Sequence, residues 1–445
     1  MTAPTLEADP DCTGSASTTA SADRPALSAS ARTATPATHA TTVTPAAAAA
    51  TAPSRVPEGR RLRAELRPFG EISRETWDRL AGLNSWATPF SAWAFHRAWW
   101  DAYGADAHEE TMVVVDPAAG GAGAEAGPGA SLDPIAIVPL MHRHVVEERD
   151  AETHTSIRHG SPIDLTPVPP TAKAVYFGAS YHADYATILA APADLPDVAD
   201  ALAQAMSAEG LDNDAHPAPW DVIDLRRLRS ADPAGQALAK AFGAREMAEG
   251  WTLNVEREDV CPVATLPESA DIDAFLATLG KKERHEIRRK VRRVEAEGMV
   301  DFVASPDPLV DLEAFIDFHQ AKWGADGLFP DTPGGAESRV MFRRMFELFG
   351  ADGPLKLSFL MVDDRRIAAS VFFETDDAIL YYNAGLSPEA RSLSPGVVMV
   401  ERLIQRALET GKRRFDFLRG NEPYKYEWGA VDEPLQRLLV RRTAG

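Results

Sequence analysis

The chain has 445 residues, 45% hydrophobic and 25% charged, with 46 basic against 66 acidic side chains and a net charge of −20. That balance excludes a protein that coats nucleic acid with its whole surface, and no DNA partner is expected. Two cysteines exclude a disulfide framework and a cysteine-built zinc site, and no metal is expected; no apolar run reaches the roughly 18 residues of a membrane span.

Residues 1–60 predict a disordered tail. Of these, 42 are Ala, Thr, Ser or Pro, none is Phe, Trp or Tyr, and the apolar side chains are too few to offset ordering entropy. The opening MTAPTLEADPDC has acids and no basic region, so it is not read as a secretory leader, and a cytoplasmic protein is expected. Residues 61–245 form a first domain in which strands (63–66, 113–115, 135–140, 185–189, 222–225) alternate with helices (73–82, 91–103, 193–208). Its glycine-rich segment 116–133 reads as a long hairpin loop.

From 246 the pattern restarts as a second domain, 246–445. A strand at 251–255 precedes one long helix, 271–297, with Ile272, Phe275, Leu276, Leu279, Ile287, Val291 and Val294 at helical spacing and Gly298 as its cap. A strand at 300–303 and helices at 308–323 and 335–349 come next. Three strands (355–362, 367–374, 378–386) then form an antiparallel meander, with hairpin turns at Asp363-Asp364 and Thr375-Asp376-Asp377. A helix at 395–410, a strand at 414–418, a short helix at 421–428 and a strand at 436–441 complete the chain. The fold class is therefore α/β in the α+β sense: a mixed, mostly antiparallel sheet flanked by helices. The two parts echo each other. Phe95-His96-x-Ala98-x-Trp100 matches Phe318-His319-x-Ala321-x-Trp323, and Asp224 with Arg226 parallels Asp416 with Arg419, which predicts two copies of one fold.

Four places carry candidate chemistry. Ser394-Pro395-Gly396 opens the helix after a strand, with Ser394 as N-cap, Pro395 at the first position and Gly396 leaving the backbone approachable. Its free N–H groups suit phosphate, or simply make a well-capped helix. At the strand-to-helix corner 415–429, Asp416, Arg419, Glu422, Tyr424 and Lys425 cluster; they form a site, or Asp416 and Arg419 only pair. The segment KKERHEIRRKVRR at 281–293 has eight basic residues and two acids. Arg284 and Arg288 there contact an anion such as a phosphate tail or tRNA, or the helix presents a solvated face. His142-x-His144, with Glu147 and Glu148, has no metal-ligand spacing and reads as a polar strand end, while His96 and His319 read as core histidines.

The run FLATLGKKERHEIRRKVRRVEAEG, with FIDFHQAKWG, RIAASVFFE, ILYYNAGLSPEARSLSPGVVM and FDFLRGNEPYKYEWG, resembles the GNAT-fold acyltransferases, in particular the CelD-like group associated with cellulose biosynthesis. That group is related to the Fem-type aminoacyl transferases of peptidoglycan. The resemblance covers about 250–445 strongly and 61–229 more weakly, and it implies tandem GNAT-like domains. The family's acyl-CoA loop falls on Arg391 to Gly396, with Ser394 in place of its first glycine and Pro395 removing an N–H. Its Asp-x-x-x-Gly…Tyr-Lys motif falls on Asp416, Gly420, Tyr424 and Lys425.

The resemblance implies an acyltransferase in which an amine attacks the thioester of acyl-CoA, typically acetyl-CoA, directly. It places Tyr382 and Asn383 at the carbonyl, Tyr424 as the proton donor to the thiolate, Asp416 or Glu422 as the amine's base, and Lys425 on developing charge. Arg284, Arg288, His319, Trp323 and Arg419 are then expected at the acceptor, a small-molecule, sugar or cell-envelope amine. Two other readings stand: a Fem-type enzyme using aminoacyl-tRNA, which salt would weaken steeply, and a non-catalytic accessory protein of polysaccharide synthesis. The first domain lacks a loop like 391–396 and a Tyr-Lys pair, and is expected to serve as scaffold or acceptor wall.

Overall fold

In the computed structural model, residues 60–120, 132–143, 165–211 and 220–442 are described. The predicted tail, except Arg60, most of the predicted loop at 116–133, and His144, Glu147 and Glu148 lie outside the described residues. The first half carries strands β1 (Arg63–Leu66), β2 (His108–Glu109), β3 (Met112–Val115), β4 (Ala136–Val138), β5 (Leu140–Arg143), β6 (Ala174–Phe177), β7 (Leu189–Ala190) and β8 (Val222–Arg229). Its helices are α1 (Arg74–Leu83), α2 (Trp93–Tyr103), α3 (Leu195–Ala205), α4 (Ala208–Leu211), α5 (Pro233–Gly243) and α6 (Glu246–Glu249). The second half adds β9 (Trp251–Thr265), β10 (Val300–Ala304), β11 (Leu355–Val362), β12 (Arg365–Glu374), β13 (Ala378–Leu386), β14 (Arg414–Asp416) and β15 (Val431–Arg442). With them come α7 (Ile272–Thr278), α8 (Lys281–Glu295), α9 (Pro308–Trp323), α10 (Pro333–Phe349), α11 (Pro395–Glu409) and α12 (Pro423–Tyr426).

Capping chemistry sets many helix starts. Ser73, Asp232, Asp271, Asp307 and Thr332 each accept a first-turn N–H through the side chain. The expected single helix 271–297 is corrected to two, α7 and α8, because Leu279 and Gly280 are extended. The break lets Phe275 and Leu276 on one piece and Ile287 and Val294 on the other reach the same apolar core. Helix α8 ends at Glu295 with Ala296 as its C-cap, so Gly298 lies beyond the cap it was expected to form. The expected strand at 185–189 shrinks to β7, with one isolated bridge from Ala186 to Leu228.

Strand β9 corrects the sequence reading most. The expected strand stops at 255, yet β9 runs on to Thr265 through Glu256, Glu258 and Asp259. Its charges find partners across the sheet: Glu256 with Arg437 at 3.1 Å and Glu258 with Arg227. In this way β9 and β15 link the halves in one 11-stranded sheet, ordered β10-β11-β12-β13-β14-β9-β15-β8-β6-β5-β2. A second sheet, β1-β3-β4-β7, belongs to the first half.

The tandem fold is visible in the ladder. Strands β6 and β8 run parallel over 174–176 and 222–224, as β13 and β14 do over 378–380 and 414–416. Asp224 and Asp416 each hold the last position of their parallel pair. Helices α2 and α9 carry the matching Phe-His motifs, and both histidines are buried. Burial keeps His96 neutral, its pKa lowered to about 3.

Candidate active site

Strand β13 continues six residues past its last pair with β14, so the two strands diverge and leave a gap. Opposite that gap β13 carries a bulge: Val371 faces Asn383 but Phe373 faces Leu380, which sets Tyr381 and Tyr382 against Phe372 alone. The bulge turns a β13 peptide group out of the ladder. Tyr382 donates its hydroxyl to the His182 carbonyl at 3.0 Å and stacks on Phe342, so its ring is fixed.

Behind the gap, α11 begins. Ser394 sits in the left-handed region (φ 58°, ψ 50°), and its side chain makes no capping bond, which corrects its expected role as a side-chain N-cap. The left-handed turn instead aims the first peptides of α11 at a cavity lined by Arg391, Ser394, Gly396, Val397 and Leu386. A Cβ on Gly396 would meet nothing nearer than Leu386 at 3.6 Å, so the space before this backbone is open to a ligand.

On the other side of the gap lies a larger cavity of about 560 Å³ between the halves. The second half lines it with His319, Trp323, Tyr382, Asn383, Arg419 and Glu422, and the first half with Tyr181, Asp184, Arg226 and Arg227. The two cavities share Lys322, Tyr381 and Tyr424. Tyr424 is 39% exposed and lines both cavities. Desolvation, with Tyr381 and Glu422 nearby, raises its hydroxyl above the ordinary tyrosine range and keeps it protonated. Burial lowers the Lys322 ammonium, while Glu422 pulls it the other way. Burial keeps His319 neutral, its pKa lowered to about 4.

The structure gives Asp416 and Lys425 well-defined partners. Asp416 accepts the Tyr185 hydroxyl at 2.7 Å and the Leu418 N–H at 2.8 Å, and it lines neither cavity just described. Burial pushes its pKa up to about 6. Lys425 points inward, donating to the carbonyls of Leu418, Arg419 and Gly420 at 2.8 to 3.0 Å and pairing with Glu422 at 2.9 Å. Together they hold the turn after β14, where Leu418 (φ 57°) and Gly420 (φ 106°) are both left-handed. Asp416 and Arg419 do not pair; Arg419 reaches Asp184 at 3.3 Å, and burial raises that acid's pKa against the pull of Arg419.

Arg284 and Arg288 are not brought to either cavity. Arg288 pairs with Asp273 at 2.6 Å and Arg284 donates to the Ala277 carbonyl at 3.3 Å on the outer face of α8. Their neighbour Arg293 does reach the loop before α11, giving a hydrogen bond to the Ser392 carbonyl at 2.8 Å. Sequence reasoning missed Lys322, Tyr381, Asp184, Arg227 and Asp259. The one local signal was charge inside an apolar strand: VIDLRRLR is buried at every position. Among the described residues there is no cluster of three or more His, Cys, Asp or Glu able to hold a metal, and no helix is long and apolar enough to cross a membrane.

Residues 281–426 match the family model described as an acetyltransferase (GNAT) domain. Comparison with curated proteins gives no match. Among solved structures, FemX aligns with a TM-score of 0.50 at 11% identity, covering 82% of this chain and 96% of that one. L-PGS from Bacillus licheniformis aligns at 0.46 and 11%, covering 84% and 93%. A tandem GNAT protein from the clavulanic acid biosynthesis pathway aligns at 0.42 and 11%, covering 86% and 99%. The likeness to FemX shows the fold, a GNAT/Fem-like one.

Proposed function

We propose that the chain is an acyl-CoA-dependent N-acyltransferase of the CelD-like kind, with acetyl as the acyl group and a small-molecule or cell-envelope amine as acceptor. The observation that carries this reading is the meeting of two separately lined cavities at Lys322, Tyr381 and Tyr424, in the gap between β13 and β14. Arg391, the Gly396 backbone and the start of α11 would hold the pyrophosphate of the donor. The thioester would then lie in the gap, with its carbonyl oxygen at the turned-out peptide by Tyr382 and Asn383.

The acceptor amine attacks the carbonyl carbon, the C–S bond breaks, and the departing thiolate takes the Tyr424 proton. Glu422, in the acceptor cavity, takes the amine proton directly or through water. Asp416 and Lys425 act as positioning residues, since each shapes the turn that carries Arg419 and Gly420. Lys322 adds positive charge where the oxyanion develops. The aminoacyl-tRNA reading is favoured by one observation, the basic helix α8 joined to the donor loop through Arg293 and Ser392.

Calorimetric titration with acetyl-CoA tests the donor assignment. Micromolar binding is expected, with a loss of at least about tenfold in Gly396→Ala, whose added methyl enters the open space before α11 and touches the protein only at Leu386, 3.6 Å away without a clash. Unchanged affinity in that variant would remove the donor from the α11 terminus. Absence of binding at millimolar ligand would favour tRNA or an accessory role.

A further inference from the structure

One wall of the central cavity, lined by β8 of the first half and β9 of the second, holds two buried, oppositely charged side chains with hydrogen-bonding capacity unfilled among the described residues. Asp259, on β9, is 2% exposed. One of its oxygens accepts the Val260 N–H at 2.8 Å; the other has no partner there. Arg227, near the end of β8, is 7% exposed. Its backbone N–H and one guanidinium nitrogen serve Glu258, while its Nε also has no partner there. Both residues line the cavity; burial, with Arg419 and Arg226, lowers the Arg227 pKa to about 9 against the pull of Asp184 and Asp259, which leaves it cationic at neutral pH.

Leaving a charged acceptor and a charged donor unfilled in a buried place costs free energy. Arg227 adds to that cost by sitting in the left-handed region, φ 66°. By contrast, Asp224 of the same strand as Arg227 is closed by Arg226 and Arg437 at 3.1 and 2.6 Å. A ligand that fills both positions must bring a cationic donor to Asp259 and an anionic acceptor to Arg227. An ammonium and a carboxylate on one carbon do so with charge-assisted bonds at both ends and no net change of charge.

We propose that the acceptor carries an amino-carboxylate end, its ammonium on Asp259 and its carboxylate on the Arg227 Nε–H, which presents a second amine to Tyr424 and Lys322. This rests on the acyl-transfer reading above and names its acceptor as a diamino acid or a molecule ending in one. Strand β8 of the first half and strand β9 of the second then select the acceptor together.

The test uses the full chain in calorimetric titrations with L-lysine, 1,5-diaminopentane (no carboxylate) and 6-aminohexanoate (no α-amine), beside acetyl-CoA. Lysine is expected to bind at least roughly tenfold more tightly than either truncated compound. In Asp259→Asn, lysine is expected to fall to the level of 6-aminohexanoate; in Arg227→Gln, to that of 1,5-diaminopentane. The wild-type series decides even where a variant fails to fold. Equal binding of the three compounds, as when water alone fills the two positions, overturns the inference, as does no binding of any or a folded Asp259→Asn that keeps its preference for lysine. Acetyl-CoA binding alongside such a result leaves the donor assignment standing; loss of both removes the two together.

Discussion

Asp224 and Asp416 stand at the same place in two copies of one ladder, and their surroundings treat them oppositely. Burial acts on both. Arg226 and Arg437 outweigh it at Asp224 and hold that carboxyl below its ordinary range, whereas at Asp416 burial outweighs the hydrogen bonds from Tyr185 and Leu418 and the pull of Arg414, and the carboxyl rises to about 6. An acid whose pKa is higher folded than unfolded binds more protons in the native state, so its contribution to stability falls as pH rises from about 4 to about 6. The wild type should therefore lose roughly 3 kcal/mol across that window relative to Asp416→Asn. Urea melts of both proteins at a series of pH values check this; parallel curves would mean that Asp416 ionises as freely in the fold as in the unfolded chain.

At the level of elements, the proposed acceptor side depends on how closely α9 lies on β13. A Cβ on Gly385 would meet the His319 N atom at 2.5 Å and Phe318 at 2.6 Å, which are parts of the helix and not a flexible side-chain end. Gly385→Ala must push α9 outward, and with it His319, Lys322 and Trp323. A loss of about 1–3 kcal/mol in stability is expected with a larger rise in the amine KM than in the acetyl-CoA KM, read from steady-state rates. Equal effects on both would place the helix outside the acceptor's control. The helices and meander after 300 are legible in the sequence because their apolar period is uninterrupted. The length of β9 is not, because Glu256 to Asp259 read as loop until Arg437 and Arg227 arrive from distant strands. The same holds for the site. Arg391, Gly396, Glu422 and Tyr424 announce themselves within two short segments, whereas Asp184 and Arg227 line the cavity only through the packing of one half on the other, and Asp259 only through the unforeseen extension of β9. Lys425 was legible as a residue but not in its surroundings, since three backbone carbonyls leave no trace in a motif.

For the whole molecule, one sheet crosses the boundary placed at 245/246. Strand β15 pairs with β9 on one side and with β8 on the other, and Trp251 at the head of β9 packs on Trp220 and Phe242 of the first half. Fragment 246–445 made alone would expose the β15 edge with Leu438 and Val440, and it should aggregate; co-expression with 61–245 should return a soluble pair in size-exclusion chromatography. A monodisperse, cooperatively melting 246–445 would show that the second half stands by itself. The two cavities also have a kinetic meaning. They meet at three side chains, so under the proposed acyl transfer neither reactant must depart to admit the other. Initial rates at several fixed amine concentrations should give intersecting double-reciprocal lines, the mark of a ternary complex, and not the parallel lines of a shuttle that parks the acyl group on the enzyme.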